Sequence, residues 1–200
     1  MLLIHTALPF EAHPIIRGLG LVQTDSPGGG RLYTDKEQKY ALLVSGIGGE
    51  KTRKTLKALH DLLDTRKLTI TKAMNIGLAA DPGKRFPIET ALNISSVHHH
   101  DTEKPVFSLR TPAHDLESST LCTIDTPSSD PAVFTKNESP PLLDMEGWYF
   151  VDTLRSRFGL SQDVIHSIKI VSDYADGVSF DTRKLAPVYD ETVNTLLRAF

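Results

Sequence analysis

The sequence predicts an α/β protein with a central, largely parallel β-sheet covered by helices on both sides. Three observations predict it. Short runs such as Tyr40–Val44, Ala73–Ile76 and Val164–Val171 are apolar on both faces, as strands buried on both sides require. Longer amphipathic segments alternate with them, as crossover helices do. Several strand-like runs end in a small residue or an acid at the start of the next segment, where ligands bind in open α/β sheets.

In chain order, Leu2 to Leu8 reads as a first buried strand. Pro9 then opens a helix with Glu11 in its first turn and Ile15, Ile16 and Leu19 as its apolar positions. Ser26-Pro27-Gly28-Gly29-Gly30 is a turn joining Leu19–Val22 to Arg31–Thr34. Tyr40–Val44 is a strand that ends at Ser45-Gly46-Ile47-Gly48-Gly49. A helix follows from about Glu50 to Thr65, with Thr52, Leu56, Leu59 and Leu63 on one face. Ala73–Ile76 is a short strand ending in Gly77-Leu78-Ala79-Ala80, and Asp81-Pro82-Gly83-Lys84 is a turn.

Thr90–Val97 alternates toward another strand, ending in His98-His99-His100-Asp101. Val106–Leu109 is a short strand, residues 111–119 are loop, and Leu121–Ile124 is strand up to Asp125-Thr126-Pro127. Ser128 to Pro141 is polar and proline-rich, a loop or a short helical lid. Leu142-Leu143 leads into Asp144-Met145-Glu146 and a helix over Gly147–Phe158. The run Val164–Val171 is stopped by Ser172-Asp173, and a last helix covers about Leu185 to Phe200. No repeat or linker divides residues 1–200, so one domain is expected.

The formal net charge is −3 with acids and bases interspersed, so nothing suggests a nucleic-acid partner. Cys122 is the only cysteine, which removes a disulfide framework and a thiolate metal cluster and favours a reducing, cytoplasmic setting. Its place in an apolar run reads as a buried structural thiol. The first residues lack a basic n-region and meet Pro9 and Glu11 early, unlike a signal peptide, and no apolar run approaches the ~20 residues of a membrane span.

Gly46-Ile47-Gly48-Gly49-Glu50-Lys51-Thr52 resembles a phosphate loop but fails it, because Glu50 stands where glycine must precede Lys-Thr. What survives is a tight strand-to-helix turn, serving either ligand approach or close packing. Three consecutive histidines on a strand point to alternate faces and do not converge on one ion, so an exposed strand end or a subunit contact is expected and no metal. No GxSxG elbow is present.

Taken together, Ser45-Gly46-Ile47-Gly48, Asn75-Ile76-Gly77, His100-Asp101, Asp125-Thr126, Asp144-Met145-Glu146-Gly147 and Val171-Ser172-Asp173-Tyr174-Ala175-Asp176 resemble the purine nucleoside phosphorylase and nucleosidase superfamily. The nearest branches are the 5′-methylthioadenosine/S-adenosylhomocysteine nucleosidases and futalosine hydrolases. The resemblance implies a three-layer fold with a mixed, largely parallel sheet, and a nucleoside N-ribohydrolase that needs no cofactor. It implies that Asp173 protonates the leaving base and that Glu11 activates water. Glu146 would hold the ribose hydroxyls with Met145 beside the sugar, and Ile47 and Ala79 would complete the substrate contacts.

These residue types suit the chemistry. Breaking an N-ribosidic bond builds positive charge on the sugar and negative charge on the base, which a carboxylate and a general acid respectively relieve. The family also implies a homodimer, with His98–Asp101 near the interface. Three positions depart from its pattern: Lys169 stands for an arginine, Leu78 for a serine that holds the attacking water, and Pro127 for an aromatic that stacks on the purine. The stretch Met74-Asn75-Ile76-Gly77 lacks the arginine of the phosphorylase branch, and Pro9-Phe10-Glu11 replaces its N-terminal phosphate segment. A phosphorylase, or a nucleoside-binding protein without turnover, remains the alternative.

Overall fold

Alternate residues of the first strand, β1 (Leu2–Thr6), face opposite sides of the sheet and so define its two cores. Leu3 joins one apolar cluster with Leu43, Leu56, Leu59 and Phe150, and Ile4 joins the other with Ala12, Ile15, Leu42 and Val193. The computed structural model describes residues 1–112, 115–127, 140–177 and 182–197. Helices α1 (Pro9–Leu19) and α4 (Thr182–Leu197) cover the face of Ile4. Helices α2 (Gly49–Arg66) and α3 (Gly147–Phe158) cover the face of Leu3. The result is the expected three layers.

The remaining strands are β2 (Val22–Asp25), β3 (Arg31–Thr34), β4 (Tyr40–Val44), β5 (Lys72–Ala80), β6 (Ala91–His99), β7 (Phe107–Ser108), β8 (Ser118–Thr123), β9 (Leu142–Asp144) and β10 (Ile165–Asp173). β4, β1, β5 and β10 lie side by side and parallel. β3 and β2 extend the β4 edge as antiparallel strands. On the other side the sheet curls: β10 pairs antiparallel with β6, β6 parallel with β8, β8 parallel with β9, and β9 meets β5 again at Ala80. Strands β5, β10, β6, β8 and β9 thus form a closed ring. The sheet is mixed: antiparallel pairings are as many as parallel ones among the described residues, but the parallel ones join more residues along their length. The departure from the expected sheet is the closed ring, which needs reversals that a doubly wound open sheet does not.

Two strands run further than expected. β5 continues through Gly77 to Ala80 because β10 pairs with it along its whole length. β10 carries through Ser172 to Asp173, with a register shift after Val171. A bulge of this kind re-aims side chains at a strand end. Much of the proline-rich stretch read as loop or lid lies outside the described residues, as does the end of the last helix.

Candidate active site

The carboxyl ends of β5 and β10, the β9–α3 junction and the start of α1 surround one cavity of about 310 Å³. All six residues singled out from the sequence line it: Glu11, Ile47, Ala79, Met145, Glu146 and Asp173. Leu78 and Pro127 line it too, so two of the three departures face the same space. Gly46, Gly77 and Asp125, which belong to the other motifs of the resemblance, are not among its lining residues. Asp125 belongs to a neighbouring cavity that shares Ile47 and Met145 with the first.

Glu11 is held rigidly at the N-terminus of α1. Its Oε2 accepts the backbone N–H groups of Ala7 and Leu8 at 3.0 and 2.7 Å, and its Oε1 accepts that of Leu78 at 3.0 Å. Burial raises its pKa, while these three bonds and the charge of Lys169 pull the other way. Gly77 leaves the room for this arrangement. A Cβ there would stand 3.2 Å from Glu11 Oε1 and 3.5 Å from Lys169 Nζ.

Glu146 precedes the first turn of α3, and its Oε1 accepts the Gly48 N–H at 2.6 Å. The glycine turn after β4 therefore serves both readings weighed for it. Gly48, at φ 102°, delivers a backbone N–H to a site carboxylate. Gly49 is packing, because a Cβ there would sit 2.0 Å from the Tyr149 ring. Burial, and then the nearby Asp144 charge, push Glu146 up to about 7, with Lys169 opposing.

Asp173 ends β10. Its Oδ2 accepts the Ser172 hydroxyl at 2.7 Å and its Oδ1 the Ala175 N–H at 2.9 Å. Ala175 reaches this position with φ at 53°.

Beneath the cavity lies the residue that sequence reasoning undervalued. Lys169 sits in mid-strand, 1% exposed, with its Nζ 2.8 Å from Asp144 Oδ2. Asp144 also accepts the Thr123 hydroxyl at 2.7 Å and the Gly147 N–H at 2.8 Å. Burial disfavours the Lys169 cation, but Asp144, Glu146 and Glu11 outweigh it and its pKa is raised. The signal was available: a lysine inside Ile168-Lys169-Ile170 must find a buried acid.

The histidine strand end departs from its expectation. His99 is 2% exposed, not an exposed end. β6 stops at His99, and both His99 and His100 approach Asp125, at 3.2 and 3.7 Å. His99 Nδ1 accepts the Asp101 N–H at 3.0 Å, so its proton lies on Nε2, 3.2 Å from both Asp125 Oδ1 and the Tyr149 hydroxyl. A metal would need a lone pair on that same Nε2, and the Lys104 ammonium stands 3.1 Å from it. The group is a hydrogen-bond network in this arrangement. Cys122 is buried, and burial pushes its thiol up to about 12.

No protein-family profile and no curated protein sequence matches the chain. Solved structures do. The 5′-methylthioadenosine/S-adenosylhomocysteine nucleosidase of Helicobacter pylori, with butyl-thio-DADMe-Immucillin-A, superimposes with a TM-score of 0.79 at 16% identity, over 100% of this chain and 98% of that one. Futalosine hydrolase of H. pylori strain 26695 gives 0.79 at 16% identity, over 100% and 97%. The Streptococcus pneumoniae MTA/SAH nucleosidase with 8-aminoadenine gives 0.78 at 15% identity, over 99% and 97%. At these identities the likeness establishes a shared fold, the one the motif resemblance anticipates.

Proposed function

We propose that the protein is a nucleoside N-ribohydrolase that cleaves the N-glycosidic bond of a purine-type nucleoside by acid-assisted departure of the base. The observation that carries this reading is the convergence of Glu11, Glu146 and Asp173, from three different elements, on one largely apolar cavity. The base lies between Pro127, Ile124 and Ala175, with Asp173 donating a proton to N7 of the departing purine. Met145 packs beside the sugar, and Glu146 accepts the ribose hydroxyls and faces the developing cation. Glu11 takes the proton of the attacking water at Oε1, which spends one lone pair on Leu78 and keeps another. Ile47 and Ala79 close the walls.

Water is preferred over phosphate because no lysine or arginine is among the described residues lining the cavity. One observation favours a second reading, a nucleoside-binding protein without turnover. Leu78 presents an apolar side chain to the cavity where a hydroxyl would hold water. The proposal extends to residues 1–200 as a single unit, to a homodimer with His98–Asp101 near its interface, and to a cytoplasmic setting consistent with one buried thiol. None of the described helices is long and apolar enough to cross a membrane.

The test is a nucleoside panel of adenosine, inosine, methylthioadenosine, S-adenosylhomocysteine and futalosine, with and without phosphate, reading free base and sugar product. Hydrolysis gives free base and the unphosphorylated sugar, with any 5′ substituent retained, in both arms, and Asp173→Asn abolishes release while binding stays within a few-fold. Ribose 1-phosphate formed only with phosphate would overturn hydrolysis. Binding without cleavage across the panel would establish the second reading. Light scattering that finds only monomer at micromolar concentration would remove the dimer.

A further inference from the structure

Strands β5 and β10 run parallel, and the nucleoside cavity uses only their carboxyl ends. At their amino ends lies a separate cavity of about 320 Å³, lined by Lys72, Arg110, Thr111, Asp163 and His166 among others. Its fixed element is His166, the second residue of β10, which is 4% exposed. His166 Nδ1 lies 2.8 Å from the Arg110 carbonyl oxygen. A carbonyl only accepts, so Nδ1 carries the proton and Nε2 is the nitrogen that titrates. The same bond pins Arg110 against the imidazole. Lys72 enters from the first residue of β5, one strand over.

Among the described residues lining the cavity, the charged groups are two cations and one acid, Asp163, beside a buried imidazole. Burial first, and then the charges of Lys72 and Arg110, hold His166 below its ordinary pKa, although its bond to the Arg110 carbonyl works against them. Guanidinium and ammonium groups that line one roomy cavity beside an imidazole suit a tetrahedral oxyanion.

We propose that this cavity is a second ligand site, taking a small phosphate-type oxyanion between Lys72, Arg110 and His166. Along β10 it lies seven residues from Asp173, about 23 Å at ~3.3 Å per residue. An anion here is therefore not a nucleophile for the nucleoside cavity, and the site stands whether or not the protein is a hydrolase. Binding draws a proton onto Nε2, because the anion offsets the two cations that disfavour the imidazolium.

The test is imidazole ¹H–¹⁵N NMR of the full chain, titrated with inorganic phosphate near pH 6.5 and, separately, with sodium chloride at matched ionic strength. Phosphate should move His166 saturably toward the imidazolium, raising its apparent pKa by about one unit, and chloride should do much less. Arg110→Ser removes an exposed side chain and should weaken phosphate binding about ten-fold with unfolding temperature unchanged. Asp163→Asn removes the acid among the described lining residues and should strengthen binding a few-fold. The proposal fails if phosphate and chloride shift His166 equally, if Arg110→Ser binds as well as the parent, or if phosphate perturbs only residues of the nucleoside cavity.

Discussion

Replacing Lys169 by Met tests whether the buried acids of the site depend on one cation. The Lys169–Asp144 pair is 2.8 Å long with both side chains almost wholly buried. At an effective dielectric near 20, its gross attraction is roughly 4–6 kcal/mol. Removing one member leaves Asp144 charged and buried with only the Thr123 hydroxyl and the Gly147 N–H, and losses of this type run about 3–5 kcal/mol. For a chain of this size that is a fall in melting temperature of roughly 6–20 °C. Glu146 loses the one charge that opposes its burial and Asp144, so its carboxyl climbs further above about 7. The acid limb of nucleoside binding, or of turnover where present, should move upward by about one pH unit or more. Lys169→Arg keeps the charge and should hold the limb near its original position. The assays are thermal unfolding by circular dichroism and a pH profile of nucleoside affinity. A Lys169→Met protein with unchanged melting and an unchanged acid limb would refute the coupling.

Three further outcomes follow from the same geometry. Glu146 rises from 4.5 to about 7 on folding, so its contribution to stability is present below pH 4.5 and lost as pH rises toward 7, roughly 3 kcal/mol in all. Glu146→Gln, which keeps an acceptor for the Gly48 N–H, should therefore match the parent at low pH, exceed it by up to that amount above pH 7 in urea unfolding, and bind nucleoside less well. Gly77→Ala pushes a methyl to 3.2 Å from Glu11 Oε1, so Glu11 must shift by a few tenths of an ångström. The proposed turnover should drop about ten-fold or more with little change in substrate affinity. Cys122 should resist thiol reagents in the folded protein, since both burial and a pKa near 12 keep the thiolate scarce, and should label fully in urea.

The layers were legible because each element rests on a local signal, and the six lining residues because the motif resemblance marked them. The mostly apolar, β-branched run over Val164–Val171 reads as a buried strand, and Ser172-Asp173 follows it directly. Glu11 was visible as an acid in a first helical turn, although nothing local shows that it reaches Leu78. The ring was not legible. It closes through β9, three residues long, and a single register pair between Ala80 and Leu143. The network of His99, Asp125 and Tyr149 was not legible either, because its members are 24 to 50 positions apart and meet only once β6, β8 and α3 are packed. Alternation along an ideal strand correctly separates His98 from His99 but says nothing about a strand that ends at His99.

The closed ring has a consequence for the order of assembly. Strand β10 inserts between β5 and β6, and Ser167 meets Asn75 across 92 residues of chain. Contacts of such sequence separation form late, since the intervening chain must close first. Until β10 arrives, β5 and β6 each present an unpaired edge built from apolar residues, the kind of edge that templates association with another chain. A chain interrupted near Gly159 would hold Glu11, Ile47, Ala79 and Glu146 yet keep both edges bare. Synthesis that stalls between Phe158 and Asp173 should therefore yield aggregates in place of a weakened protein, and folding yield should depend on how fast the residues of β10 leave the ribosome.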